Sequence, residues 1–261
     1  MAKRRIFTPP STQVVEISTG MARLEKVDGE ADSYVLHVNG VPSSSITLSD
    51  PLRLDFEYLD WMSRIIDAQF AAGPLRAVHI GAAGCALARY VHATRPGSRQ
   101  TAVDIDPVLL EHSRSWFDLP RSPALALRAG DGAVEIETFR EDSLDLVIRD
   151  AFDHDIVPEA LTTREFFASC ARALKGTGLY LANVPDPGDH ARLRADVGLL
   201  REEFAHVAAA SEPAIIKGRR RGNVVVMASQ SPIADVDQVL RTAATLASFL
   251  DARALGSRLG I

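Results

Sequence analysis

Four carboxylates, each closely following an apolar run, carry the chemistry that this sequence offers. Asp104 stands in Val103-Asp104-Ile105-Asp106-Pro107 and Asp131 in Ala129-Gly130-Asp131-Gly132. Asp150 and Asp153 fall in Ile148-Arg149-Asp150-Ala151-Phe152-Asp153-His154-Asp155. Ahead of them a small-residue turn, Gly81-Ala82-Ala83-Gly84-Cys85-Ala86, follows the run Ala77-Val78-His79-Ile80. Small residues let backbone approach a ligand, and a helix starting there offers unpaired N–H groups. Asp104 comes 23 residues after Gly81, an offset at which an acid takes ribose hydroxyls, because a carboxylate accepts from both oxygens of a diol. Asp131 can accept from an adenine amino group or cap the helix that follows. Asp106-Pro107 reads as a cap and first helical residue.

The run from Asp150 to Asp155 admits three readings. The first is a base with an amine-binding acid. The second is a divalent-metal site of Asp and His ligands, and the third a solvated loop with a helix cap. Like charges this close tend to raise one another's pKa. Arg149, on the opposite strand face from Asp150, is expected to form an ion pair on the sheet face. Gly81-x-x-Gly84 falls short of the dinucleotide fingerprint. A nucleoside held after the first two strands, with an acid after the third, therefore fits an adenosyl-sulfonium ligand better than a dinucleotide.

The elements that must position these residues alternate. Strands are predicted at Ala77–Ile80, Gln100–Ile105, Ala124–Arg128, Leu144–Ile148 and Leu179–Asn183. Helices are predicted between them at Ala86–Thr94, Pro107–Phe117, Gly132–Phe139 and Thr163–Leu174. That order implies a parallel sheet covered on both faces, with ligands beyond the strands' carboxyl ends. A helix at Asp189–Phe204 follows. Ala205–Ala210 and Asn223–Ala228 then make an antiparallel hairpin at a sheet edge, and Ile233–Leu250 a terminal helix. Upstream, Val14–Ile17, Ala22–Val27, Ser33–Val38 and Val41–Leu48 read as short strands, the last two joined by the hairpin signal Asn39-Gly40. Residues 1–12 read as a loose arm. A helix is predicted from Asp50-Pro51 to about Phe70. The expected fold is α/β, a seven-stranded Rossmann-like sheet of the methyltransferase type over residues 51–261, with a small N-terminal antiparallel β unit over residues 1–50.

The chain has 261 residues, a formal net charge of −5, 46% hydrophobic and 24% charged residues. That composition is of a soluble protein and argues against a nucleic-acid binder. The basic start Met1–Arg5 runs into Thr8-Pro9-Pro10-Ser11 instead of an apolar core, and no run reaches membrane-spanning length. Cys85 and Cys170 match no metal spacing and read as buried thiols of a cytoplasmic protein.

At these residues the chain resembles the polyamine aminopropyltransferases, the spermidine synthase family, in a divergent actinobacterial-type form. The likeness runs from about Ser33 to Val184. The family patterns G-G-G-D-G-G, V-E-I-D-P and D-D-G stand as Gly81–Ala86, Val103–Pro107 and Gly130-Asp131-Gly132. D-S-T-D-P stands as Asp150–His154, and L-F-T-x-E-F-Y as Ala160–Phe167. The resemblance implies decarboxylated S-adenosylmethionine as donor. Asp104 would then bind its ribose and Asp131 its adenine, with Gly81, Ala82, Gly84, Ile105 and Gly132 completing the donor side. It implies Asp150 as the base that deprotonates the amine, and Asp153 and Tyr58 as amine-binding residues. Tyr58-Leu59-Asp60 stands for the family's Y-H-E, and Gly84 and Gly130 replace family acids. A small-molecule amine, no metal, no nucleic acid, no membrane and a homodimer are expected. A family Tyr- and Pro-rich stretch is replaced by Lys217-Gly218-Arg219-Arg220-Arg221-Gly222, which repels a polyamine if it faces the cavity and is otherwise a solvated hairpin tip. Methyl transfer from ordinary S-adenosylmethionine on the same fold is the alternative, which the lost acids favour. A non-catalytic relative binding a nucleoside or a partner protein, and a nicotinamide oxidoreductase, come after it.

Overall fold

The computed structural model describes residues 12–154 and 156–261. Asp155 and the arm expected at the N-terminus, up to Ser11, lie outside the described residues. Strands β1 (Gln13–Ile17), β2 (Gly20–Lys26), β3 (Ser33–Val38) and β4 (Val41–Thr47) form an antiparallel sheet in that order. Asn39 and Gly40 both have positive φ (51° and 82°), the turn that keeps a two-residue hairpin in step with strand twist.

Beyond it, α1 (Glu57–Gln69) leads to β5 (Arg76–Ile80), α2 (Ala86–Thr94), β6 (Arg99–Asp104), α3 (Pro107–Trp116), β7 (Leu125–Ala129), α4 (Gly132–Glu137) and β8 (Leu144–Arg149). A 3₁₀ turn over Glu159–Thr162 precedes α5 (Arg164–Ala173), β9 (Leu174–Asp186) and α6 (Ala191–Glu203). Then come β10 (His206–Ser211), α7 (Pro213–Ile216), β11 (Gly222–Ser229), α8 (Asp237–Arg241), β12 (Ser248–Leu250) and α9 (Ala252–Leu259). The large sheet has the order β12-β10-β11-β9-β8-β5-β6-β7. Pairing is parallel from β9 to β7, and β11, β10 and β12 pair antiparallel. Alternate residues of the central strands feed two cores. Leu146 and Ile148 pack on the side of α1 and α2, and Val147 on the side of α5 and α6. The near-continuous apolar runs of β5 and β8 follow from burial on both faces.

All seven predicted strands are present, and an eighth, β12, extends the edge beside β10. It falls inside the segment predicted as a terminal helix over Ile233–Leu250. Val236, Leu240, Ala247 and Leu250 recur at helix-like intervals and are buried. Only Asp237–Arg241 is helical, because the Thr245 carbonyl turns in to accept from Trp61 Nε1 (2.8 Å) and Ser248–Leu250 pairs with β10. The helix predicted from Pro51 begins instead at Glu57. Asp50 caps only a turn, accepting from Leu52 N at 3.0 Å. Arg53 is drawn to Glu30 and Asp55, so residues 51–55 strap the N-terminal sheet to the rest of the chain.

Candidate active site

Strands β5 to β8 end on one side of the sheet, and their loops meet beneath β3 and β4. The N-terminal sheet is pinned there by long-range polar contacts. Thr19 donates to Asp106 Oδ2 through its N–H (2.7 Å) and hydroxyl (2.9 Å), and Gly84 N donates to Ser44 Oγ (3.0 Å). Between them lies a cavity of about 730 Å³. Tyr58, Gly81, Asp104, Ile105, Asp131, Gly132, Asp150 and Asp153 all line it, with Val38, Asn39, Val41, Pro42 and Ser43 above.

On one flank stands Asp104. Its Oδ2 accepts from Ala82 N and Ala83 N (3.2 Å each) and its Oδ1 from Asp106 N (3.0 Å). Burial raises its pKa, and those backbone donors oppose the rise. Each oxygen keeps acceptor capacity for a ligand diol. Asp106 is the expected cap, accepting from Leu109 N at 2.8 Å. Asp131 caps α4, accepting from Ala133 N at 2.8 Å, and it also lines the cavity. Ile105 is 61% exposed, an uncovered apolar side chain on the cavity wall.

The small-residue turn divides in a way the sequence did not separate. Gly81 has φ +83°, and a Cβ there would lie 2.3 Å from the Asp150 carbonyl oxygen. Only glycine lets the ends of β5 and β8 approach so closely. Gly132 has the same role against Ile80, whose Cγ2 would stand 2.3 Å from an added Cβ. Gly84 and Ala82 do not line the cavity, contrary to expectation. Gly84 sits under Ser44, whose Cβ is 2.8 Å from an added Cβ, so its smallness serves the seam with β4. Ala82 is buried, and its N–H serves Asp104; Ala83 faces the cavity in their place.

Asp150 begins the loop after β8. Tyr58 O–H donates to its Oδ2 (3.0 Å) and Asn183 Nδ2 to its Oδ1 (3.1 Å). Burial pushes its pKa up to about 6, while the Asn183 and Tyr58 hydrogen bonds and the Arg149 charge hold it from rising further. The rise therefore comes from desolvation, and not from the neighbouring aspartates as the clustering in sequence had implied. Tyr58 is correspondingly held protonated, chiefly by burial and then by the Asp150 charge. Asp153 does not share this environment. Its side chain is 80% exposed and accepts from His154 Nδ1 at 2.8 Å. Among the described residues no group of three His, Cys, Asp or Glu is placed to hold a metal ion. Arg149 points to the other face, buried, donating to Asp196 Oδ2 (2.8 Å) and the Leu161 carbonyl (2.9 Å).

Sequence reasoning missed the far wall. Asn183 on β9 and Asn223 on β11 line the cavity, and Asn223 Nδ2 donates to Glu57 Oε1 at 2.9 Å. Arg221 of the basic run also lines it. The two asparagines sit in unremarkable strand sequence, and only sheet pairing brings them together, whereas Arg221 belongs to the basic run whose facing of the cavity the sequence left open. The signal available was position: Asn183 interrupts the apolar run of β9 near its carboxyl end, where ligand-facing side chains emerge. Cys85 and Cys170 are buried free thiols, and burial pushes Cys85 up to about 12.

No protein-family model matches the chain. A polyamine aminopropyltransferase of Neisseria meningitidis is 30% identical over 211 residues, spanning 78% of this chain and 75% of that one. A polyamine aminopropyltransferase of Chromobacterium violaceum is 33% identical over 160 residues, 60% of each chain. Among solved structures, that of a probable spermidine synthase from Corynebacterium glutamicum superposes with a TM-score of 0.90 at 34% identity, covering 96% of this chain and 94% of that one. With a sheet of the methyltransferase-type Rossmann order under an N-terminal β sheet, the chain is a transferase and belongs to the polyamine aminopropyltransferase family.

Proposed function

We propose that this protein transfers an aminopropyl group from decarboxylated S-adenosylmethionine to a small amine, with Asp150 as the base. An alkylammonium has no lone pair and must lose a proton before it attacks the carbon beside the sulfonium. Asp150 accepts that proton. As the N–C bond forms, the C–S bond breaks and its electron pair leaves on sulfur as neutral methylthioadenosine. A carboxylate with a pKa near 6 is ionised at neutral pH and more basic than an exposed aspartate. Tyr58 and Asn183 orient it, each bonded to a different oxygen. Asp104 takes the ribose and Asp131 the adenine, so the donor lies along the ends of β5, β6 and β7. Asp153, exposed at the rim, steers and holds a substrate ammonium.

The observation that carries this reading is the half-buried, doubly hydrogen-bonded Asp150 in the same cavity as Asp104. Methyl transfer is the weaker alternative, since the aminopropyltransferase likeness extends over most of the chain. Calorimetry with the decarboxylated donor, ordinary S-adenosylmethionine and methylthioadenosine tests the donor. Tighter binding of the decarboxylated form, with methylthioadenosine released on adding amines, is the expected result. Preference for the ordinary donor, with methylated products, would overturn it.

A further inference from the structure

We propose that the amine acceptor also carries a carboxylate, and that Arg221 binds it. This rests on the aminopropyl-transfer reading and names the acceptor class of the same cavity. In the β9–β11 register Asn223 lies opposite Pro185 and Val225 opposite Asn183. Side chains alternate along a strand, so Asn223 shares the sheet face of Pro185 and Asn183, and Arg221, which directly precedes β11, lines the cavity with all three. Strand β9 separates β11 from β8, and Arg221 stands four residues beyond Val225, which lies opposite the Asn183 that bonds Asp150; Arg221 is thus roughly 10 Å across the sheet and about 13 Å farther along it from the Asp150 level, towards the outer end of the cavity. It lies on the side away from β6 and β7, which carry Asp104 and lead to Asp131. Arg221 therefore belongs to the acceptor end of the cavity.

The basic run is not a free tip. Ile215 is buried against Gly222, where an added Cβ would come within 2.1 Å of its Cδ1. Gly218 packs on the Gly188 carbonyl, 2.7 Å from an added Cβ. His190 bridges Asp186 Oδ2 (2.8 Å) and the Ile216 carbonyl (3.0 Å), tying this loop to the end of β9. Within the run, Arg220 pairs with Glu212, whereas Arg221 has no ion-pair partner among the described residues. Glu57, the acid on the same wall, is engaged by Asn223. An exposed guanidinium on a cavity wall, carried by an anchored loop, suits a carboxylate, which it can bind through two parallel N–H donors. A second ammonium placed there meets like charge. The transfer leaves the carboxylate untouched: nitrogen bonds to the aminopropyl carbon, the sulfur departs, and Asp150 receives the proton.

The test is methylthioadenosine release from decarboxylated S-adenosylmethionine with matched acceptors: butane-1,4-diamine against ornithine, and propane-1,3-diamine against 2,4-diaminobutyrate. Wild type, Arg221→Gln and Arg221→Glu are compared, with donor affinity measured alongside as a check on folding. The carboxylate-bearing member of each pair is expected to show a kcat/KM at least about tenfold above its diamine. Arg221→Gln removes that preference, and Arg221→Glu reverses it, with donor affinity unchanged. Preference for the diamines in wild type, indifferent to both substitutions, overturns the carboxylate inference and leaves aminopropyl transfer standing. Donor binding without methylthioadenosine release from any of the four amines overturns the transfer reading and this inference with it.

Discussion

The two flanks of the cavity are built in different ways. The flank at the ends of β5, β6 and β7 consists of strand–loop–helix units, each of which brings its own chemistry within a few residues of a strand end. Gly81, Asp104 and Asp131 belong to three consecutive units of that kind. The flank around Asp150 is assembled from distant pieces: Tyr58 from α1, Asn183 from β9, Asn223 from β11 and Arg221 from the loop just before it. Tyr58 and Asp150 are separated by 92 positions and Asn223 and Glu57 by 166. In the function proposed above, the first flank holds the donor's nucleoside and the second selects the amine that reacts with it. Substitutions on the two flanks therefore fail differently.

The largest effect is expected from Asp150→Asn. Methylthioadenosine release falls about 10²–10⁴-fold, the range for loss of a positioned base, while donor affinity stays within a few-fold. The amide can still accept from Tyr58 and, after a flip of Asn183, donate to its carbonyl oxygen, which is buried with no partner among the described residues. Asp104→Ala inverts the pattern. Losing charge-assisted hydrogen bonds worth about 1.5–3 kcal/mol weakens donor binding about tenfold to a hundredfold, with a smaller change in rate at saturating donor. Equal losses of affinity and rate in both variants would erase the distinction between the flanks. Gly81→Ala breaks the seam where the flanks meet, since its methyl would lie 2.3 Å from the Asp150 carbonyl. Both affinity and rate fall in that variant, and thermal denaturation reports lost stability.

A smaller effect concerns stability. The folded-state pKa of Asp150 is raised to about 6 from the ordinary aspartate value of 3.8. The native state thus binds more protons than the unfolded chain between those values, and this group makes the protein less stable as pH rises through that window. Asp150→Asn is accordingly expected to raise the melting temperature at pH 7–8, with the gain shrinking towards pH 5. A gain that grows as pH falls would contradict burial as the cause of the raised pKa.

Much of this was legible from residue order, and what was not has a physical reason. Apolar runs of four to six residues punctuated by Gly, Asp and Pro give parallel strands and caps directly, as at Ile80-Gly81 and Asp106-Pro107. The helix predicted from Pro51 failed because a local cap signal lost to the tertiary ion pairs of Arg53. The terminal helix failed because apolar spacing that suits a helix also suits a turn packed on Trp61. Gly84 was read as part of a ligand loop because sequence cannot distinguish room for a ligand from room for Ser44. Asn183 and Asn223 were not identified as a cavity wall because strand pairing across dozens of residues leaves no local pattern, and the basic run of Arg221 could be read either as facing the cavity or as a solvated tip for the same reason.

The claim on which the account turns is that Asp150 is the base, its pKa raised by burial and held down by its hydrogen-bond partners. The pH profile of kcat/KM for the amine, in wild type and Tyr58→Phe at saturating donor, tests it most directly. Tyr58 donates to the carboxylate and so favours its ionised form. Removing that bond raises the pKa, and the acid limb should move from around pH 6 to higher pH by a fraction of a unit up to about one unit. A limb that stays in place, or a flat profile through this range, would contradict the assignment of Asp150 as the base.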